Sequence, residues 1–413
     1  MIYVREGIHI FPMKTRILFY IPILLPLMIS ANHPQEVVSG NNIFAFKLFH
    51  ELNASSDKNL FYSPFSISTA LAMTYAGARN ETALQMSQAM NFQPSGEFHS
   101  DFSHLLNLMG EGTNGEIKLN IANGLWAQKD LKFLDSYLSL VTSNYHSEIK
   151  KVDFRDKAEQ EKALKEINTW VEHKTNEKIK NLLDRGDLSS MTRLVLVNAI
   201  YFYGDWAKPF TKESTMPKDF FLADQARSNV PFMNQVGRYP YYEDSNIKAI
   251  EMPYKGDKAS MVIFLPVKNN GMAEFEKSFN DKYYQEIIGS LQPNDVRLSL
   301  PKFQANFKIN LETTLSQMGM PLAFSAVGAD FSGMTGKRDL FISKVIHQAF
   351  INVDEKGTEA AAATAVTMKC TSARPPSDLK DFDADHPFIF LIKDNATGAI
   401  LFMGKIMDPK ISK

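Results

Sequence analysis

Apolar residues in the first half of the chain recur at three- and four-residue intervals, and in the second half they gather into short continuous runs. Asn42–Leu52 places Ile43, Phe46, Leu48 and Phe49 near helical spacing, which predicts a helix with one buried face. Ser66–Gly77 follows Pro64 and is rich in Ala, Leu and Met, as a buried helix is. In Ile167–Leu183, Ile167, Trp170, Val171 and Ile179 fall along one side while Lys and Glu occupy the other. That reads as a surface helix lying on an apolar layer. Leu194–Phe202 is a β-branched and aromatic run long enough for a central strand buried on both faces. Ala259–Leu265, Val296–Leu300, Ala349–Val353, Phe388–Ile392 and Ile400–Met403 read as further strands, with Asn395-Ala396-Thr397-Gly398 as the turn joining the last two. Helices early and strands late predict an α+β fold built on large sheets. No repeat and no long Pro/Gly/Ser linker interrupts residues 32–413, which read as one domain.

One stretch fits neither pattern. Between the strand-like Phe350–Val353 and Phe388–Ile392 lie more than thirty residues, whereas ordinary connections run to about 4–6. Its core is Glu355–Pro376, EKGTEAAAATAVTMKCTSARPP. Gly357 offers a hinge, and small residues dominate from Thr358 to Val366. On an extended strand Thr358, Ala360, Ala362, Thr364 and Val366 share one face, all uncharged, and Glu359 falls on the other. Such a segment can enter a sheet as an added strand without burying a charge. Ala360, Ala361, Ala362 and Ala363 also suit a helix, since alanine is the best helix former, and composition leaves both conformations open.

Charge and cysteine content narrow the function classes. The chain has 413 residues, 44% hydrophobic and 22% charged, with Lys+Arg 45 against Asp+Glu 46 and a net charge of -1. No global basic field exists to attract nucleic acid or anionic lipid. Met13-Lys14-Thr15-Arg16, the apolar run Ile17–Ile29 and the small residues Ser30-Ala31 read as an export signal over residues 1–31, with residues 1–12 upstream of a second start at Met13. The run is shorter than the ~20 apolar residues that span a bilayer and contains Pro22 and Pro26. A secreted, extracellular protein with no membrane attachment after processing is expected. Cys370 is the only cysteine, so stability must come from a large core rather than disulfides. No carboxylate pair, His/Cys cluster or Gly-rich phosphate loop stands out. No metal, no cofactor and no catalytic activity are therefore expected. Asn53-Ala54-Ser55, Asn80-Glu81-Thr82 and Asn395-Ala396-Thr397 fit the glycosylation acceptor pattern.

Several segments together resemble a known family. Glu355 to Thr364, EKGTEAAAAT, resembles the hinge of inhibitory serpins. Asp385–Ile392 with Leu401–Lys405 is similar to that family's closing hairpin, Asn59–Ile67 to its second-helix entry, and Leu196–Phe202, followed by Trp206 and Pro209-Phe210, to its central strand. The matches run in family order from about Asn42 to Pro409. The resemblance implies three β-sheets, about nine helices and an exposed reactive-centre loop over about 355–380. It also implies a monomer that inhibits serine proteases as a suicide substrate: cleavage, acyl-enzyme formation, then loop insertion into the main sheet. Carried over residue by residue, it implies a polar cluster of Ser66, Asn198 and His347 under the opening of that sheet. It further implies a Lys302–Glu355 ion pair at the top of the sheet, where insertion begins, and counts Trp206 with these residues as part of the structural switch.

The family's usual count, with Glu355 as the first residue, places the scissile bond at Thr371-Ser372 and implies an elastase-like or subtilisin-like target with a small apolar pocket. Lys369-Cys370 is the alternative, implying a trypsin-like target, and Arg374 is blocked by Pro375. A few extra residues between Thr371 and Phe388 depart from the family pattern and leave both registers open. A second class, the non-inhibitory serpin acting as carrier, chaperone or storage protein, is set apart by the hinge. Those members carry Pro, charged or bulky residues where this chain has Thr358 and its alanines.

Overall fold

The computed structural model describes residues 1–3, 33–54, 57–111, 117–147, 149–358 and 378–410. Met1–Asn32 and His33–Lys413 are separate units, and every helix and strand described lies in the second. The export-signal run Ile17–Ile29 lies outside the described residues.

The first part of the domain is helical, as its apolar spacing predicts. It runs α1 (His33–Asn53), β1 (Leu60–Tyr62), α2 (Pro64–Tyr75), α3 (Asn80–Met90), α4 (Phe98–Glu111), β2 (Ile117–Gln128), α5 (Asp135–Tyr145), β3 (Ile149–Val152) and α6 (Lys157–Lys174). Strands follow as β4 (Leu194–Asp205), β5 (Met216–Phe221), β6 (Arg227–Glu243), β7 (Ile247–Pro253) and β8 (Ala259–Pro266). After α7 (Met272–Ser278) and α8 (Asp281–Ser290) come β9 (Gln292–Pro301), β10 (Phe303–Asn310), α9 (Glu312–Gln317) and α10 (Ser332–Thr335). The chain closes with β11 (Lys344–Val353), β12 (Gly357–Thr358), β13 (Lys380–Asp383), β14 (Phe388–Asp394) and β15 (Ile400–Ile406).

Ten α-helices are present among the described residues where about nine were expected; two of them, α9 and α10, are six and four residues long. The three sheets expected appear as two hydrogen-bonded networks. The larger has nine strands, ordered β1-β15-β14-β8-β7-β6-β9-β13 with β5 beside β6. Its two lobes meet only where the 17-residue β6 pairs β7 at Tyr241–Glu243, so one long strand fuses what are otherwise two sheets. The other network is the main sheet, six strands in the order β10-β11-β12-β4-β2-β3.

The main sheet is sandwiched. Alternate residues of β4 face opposite ways: Leu196, Ile200 and Phe202 enter the large core with α2, while Val195, Val197 and Ala199 enter a second cluster with α6. Burial on both faces is what its continuous apolar run predicts. α2 begins where Ser63 accepts a hydrogen bond from the Ser66 amide (3.1 Å) and Pro64 occupies the first turn.

Two expectations are corrected. The helix read over Ile167–Leu183 is α6, which ends at Lys174: Thr175 caps it, and Asn176, Glu177 and Asn181 all take left-handed backbone angles. Ile179, Leu182 and Leu183 are buried all the same, because the segment that carries them lies against the sheet. The long connection after Val353 is not wholly loop either. Gly357–Thr358 forms β12 inside the main sheet, and Lys380–Asp383 forms β13, parallel to β9.

Candidate functional site

The site is the seam between β4 and β11, the parallel pair at the centre of the main sheet. The two strands pair directly from Lys344↔Val195 to Phe350↔Tyr201. Above that they diverge, and β12 fills the opening: Thr358 pairs with Gly204 of β4 and Val353 of β11, both antiparallel.

Tight contacts fix this wedge. A Cβ at Gly357 would lie 2.1 Å from the Gly204 carbonyl oxygen, so only glycine fits at that point of the sheet. Thr358 is fully buried, and its hydroxyl lies 2.6 Å from the Tyr254 phenol oxygen. Burial pushes that phenol above the usual tyrosine range, so it is a neutral hydroxyl. Trp206 stacks on Tyr254 at 4.6 Å and 11°, and its indole nitrogen donates to the Asp354 carbonyl (3.0 Å). The Trp206 amide donates to the Lys356 carbonyl (2.7 Å), tying the approach to the wedge from both sides.

Glu355, in the short connection between β11 and β12, is only 6% exposed. The Lys302 ammonium lies 2.8 Å from one of its oxygens, and the Thr215 hydroxyl donates to the other at 3.0 Å. Burial would raise this carboxyl, but Lys302 and its other hydrogen bonds outweigh it and hold it below the usual glutamate range. The residues expected at the start of an exposed loop, Glu355, Gly357 and Thr358, are therefore buried at the head of the sheet. Ala360, Ala361, Ala362 and Ala363, together with Thr371, Ser372, Lys369 and Cys370, lie outside the described residues.

Lower in the seam sits a polar cluster on the α2 side. Asn198 of β4 and His347 of β11 face each other across the pairing, and His347 Nδ1 hydrogen-bonds to Asn198 Oδ1. Asn198 Nδ2 donates to the Ser66 hydroxyl (2.6 Å), the Ser66 carbonyl (2.9 Å) and Asn123 Oδ1 of β2. The Ser63 amide donates to His347 Nε2 (3.2 Å), which leaves the ring proton on Nδ1. Every bond here can be remade with new partners if the strands separate, whereas interlocked apolar side chains would resist. Among the described residues no group of His, Cys, Asp and Glu is arranged to hold a metal ion.

A sheet whose two central strands pair only part-way, with a hinge seated in the gap, coincides with the sequence match. The family described as Serpin (serine protease inhibitor) matches residues 39–409. This chain belongs to the serpin family. It is 41% identical over 374 residues to a leukocyte elastase inhibitor of Xenopus tropicalis, covering 89% of this serpin and 97% of that protein. Among solved structures it resembles Serpin48 of the insect Tenebrio molitor, a highly specific serpin (TM-score 0.81, 32% identity, 91% and 99% of the two chains). It also resembles human thyroxine-binding globulin complexed with its hormone (TM-score 0.83, 32% identity, 92% and 100%).

Three residues of this serpin's site have no counterpart in the reading of its sequence, Asn123, Thr215 and Tyr254, and Ser63 enters it only within the Asn59–Ile67 match. Asn123 carries the only local signal, an Asn-Gly pair inside the otherwise strand-like Ile117–Gln128. Nothing near Tyr254 or Thr215 in sequence points to the hinge, which arrives from about 100 residues or more away.

The buried histidine gives a pH dependence. Desolvation lowers His347 to about 3, against about 6.5 in the unfolded chain. The folded protein therefore holds it neutral while the unfolded chain takes up a proton. Its stabilising effect is complete above about pH 6.5 and is lost as pH falls toward about 3, by about 1.4 kcal/mol per pH unit. His99, lowered by burial to about 4, contributes in the upper part of the same window. Urea midpoints measured from pH 7.5 to 5 should fall, and His347→Gln should flatten part of that slope. An unchanged slope in His347→Gln would remove the histidine from the account.

Proposed function

We propose that this serpin is secreted and inhibits elastase-like serine proteases as a suicide substrate. The observation that carries the reading is the register of β12. Extending the pairs Thr358↔Gly204 and Thr358↔Val353 down the seam brings Ala360 opposite Phe202 and Ile351, Ala362 opposite Ile200 and Ala349, and Thr364 opposite Asn198 and His347. Each of these loop residues would face α2, on the core side of the sheet, where uncharged side chains can be buried without an unpaired charge. Thr364 would reach the polar cluster just as the Asn198–His347 bond is broken, and its hydroxyl can donate to one group and accept from the other.

The chemistry uses the protease's own machinery. Its serine attacks the loop carbonyl, the bond to the next residue breaks, and the new amine leaves with a proton while the loop stays on the enzyme as an ester. The freed loop then slides between β4 and β11 and carries the protease with it before water hydrolyses the ester. The driving force is the strand the sheet lacks: ladder hydrogen bonds and apolar burial gained on both sides. The elastase-like target is supported by Thr371 at the counted bond, which suits a small apolar pocket, and by the name of the Xenopus relative.

The test is incubation with pancreatic elastase, subtilisin and trypsin. An SDS-stable adduct is expected with elastase or subtilisin, and the fragment released from it should begin at Ser372. A fragment beginning at Cys370, from an adduct with trypsin, would move the bond to Lys369-Cys370. Clean loop cleavage by all three with no adduct would place the protein with the non-inhibitory carriers.

A further inference from the structure

The three asparagines that fit the glycan-acceptor pattern are held very differently by the fold. An N-linked glycan is bulky and solvated, so a folded chain tolerates one only where the amide has room and a hydrogen to spare. Asn53, the last residue of α1, is built into an ion pair. Its Nδ2 donates to Glu276 Oε2 of α7 (2.8 Å), and Lys405 of β15 donates to its Oδ1. Lys405 is only 1% exposed and lies 3.0 Å from the other Glu276 oxygen. A sugar on Asn53 would push between α1 and α7 and disturb a largely buried pair of charges, which is strongly destabilising. Asn395, in the turn between β14 and β15, is bonded on both sides of its amide. Its Nδ2 reaches the Asp257 carbonyl (3.2 Å), Asp257 Oδ1 (3.3 Å) and the Ser260 hydroxyl (2.9 Å), and Lys393 donates to its Oδ1 (3.1 Å). The amide has two hydrogens, and a sugar would replace one that is in use.

Asn80 is different. It is exposed at the start of α3, in the left-handed conformation (φ 50°). Among the described residues its Nδ2 makes one hydrogen bond, to Asp330 Oδ2 at 2.7 Å, so its second hydrogen is uncommitted. Asp330 does not depend on it, because the Ser332 hydroxyl (2.6 Å) and the Arg338 guanidinium (2.7 Å) hold the same carboxylate. Leu84, four residues along on the same helix face, is 49% exposed, so the surface beside Asn80 is open.

We infer that Asn80 is an N-glycosylation site, and that Asn53 and Asn395 stay unmodified in the folded protein. The site rests on the export proposed above, which brings the chain to an oligosaccharide carried on a lipid phosphate. In the transfer, Asn80 Nδ2 attacks the anomeric carbon of that sugar, the bond from this carbon to the phosphate oxygen breaks, the lipid phosphate leaves and Nδ2 gives up one proton. The hydroxyl of Thr82, third residue of the pattern, is out of reach in the fold: Thr82 is 1% exposed, and its hydroxyl accepts from the Asp330 amide (3.0 Å). Transfer at Asn80 therefore precedes the packing of α3.

Expression in cultured insect cells tests the site. The full chain is produced with its own leader, and in parallel with a host export signal in place of residues 1–31, which lie outside every described helix and strand. Secreted protein is analysed by intact mass, by glycosidase digestion and by peptide mapping. With the host signal, a single glycan is expected, on the peptide that contains Asn80. Asn80→Gln should lose it completely, while Asn53→Gln and Asn395→Gln should each keep it. Should Asn53→Gln fail to fold, peptide mapping of the wild type still locates the sugar. Secreted protein with an unmodified Asn80, or with a glycan on Asn53 or Asn395, would overturn the assignment. A glycan on Asn80 under the host signal, with the natural leader giving neither secretion nor sugar, would keep the site and remove the export reading alone.

Discussion

Replacing Thr358 with arginine should turn the inhibitor into a substrate, with at least roughly ten protease-catalysed cleavages for each adduct formed. The native side chain is fully buried between β4 and β11, with its hydroxyl on the neutral phenol of Tyr254 at 2.6 Å. A guanidinium cannot be deprotonated there and gains no charge partner from that phenol, and an unpaired buried charge costs several kcal/mol. Two consequences follow. Before cleavage, the hinge should leave the gap and take Gly357 with it. After cleavage, the first step of insertion must bury the charge again. Each 1.4 kcal/mol added to that barrier slows insertion about tenfold while ester hydrolysis proceeds unchanged. Thr358→Ser, which keeps the hydroxyl, should inhibit as the wild type does. Densitometry of adduct against cleaved product separates the outcomes: an arginine variant that still traps protease one for one would sink the insertion mechanism for this chain.

The seam shows what a single sequence can and cannot reveal. β4 was legible because both its faces are buried, so its apolar run is continuous. The closing hairpin of β14 and β15 was legible from its turn residues, with Gly398 in the left-handed conformation such turns need. The segment after Lys174 was misread as helix because burial, not helicity, sets apolar spacing. That segment is packed against the sheet at Ile179, Leu182 and Leu183, so it imitates an amphipathic face. β6, half exposed along its length, left no run to find. For the site, the small residues after Gly357 suited an added strand and a helix alike, and the strands β4 and β11 that flank β12 come from distant parts of the chain. Ser66, Asn198 and His347 emerged only through the family resemblance. Asn123, their fourth partner, lies in β2, which the sequence reading did not identify. The burial of Glu355, Gly357 and Thr358 was out of reach, because it depends on how far β4 and β11 diverge above Phe350.

Cleavage of the loop should raise the unfolding temperature by about 10 °C or more, the reverse of what a nick does to most proteins. Cutting a surface loop ordinarily gives the unfolded chain more freedom and lowers stability. Under the proposed mechanism the cut releases a strand whose first residues, Gly357 and Thr358, are already in place. The direct β4–β11 pairs, from Lys344↔Val195 to Phe350↔Tyr201, would be replaced by a ladder on each side of the new strand. The net gain is on the order of ten hydrogen bonds at about 1 kcal/mol each, with added burial of the alanine face. For a domain of this size the unfolding entropy is near 0.8 kcal/mol per kelvin, so about 10 kcal/mol moves the midpoint by about 12 °C. A protease that cuts the loop without being trapped supplies the cleaved form, and calorimetry of intact and cleaved protein supplies the comparison. Thr358→Arg, cleaved in the same way, should show much of the gain missing, because its first inserted position carries a charge. A cleaved wild-type protein that melts at or below the intact one would mean that the native sheet stores no insertion energy. β12 would then be a static plug in the seam rather than the leading end of a strand.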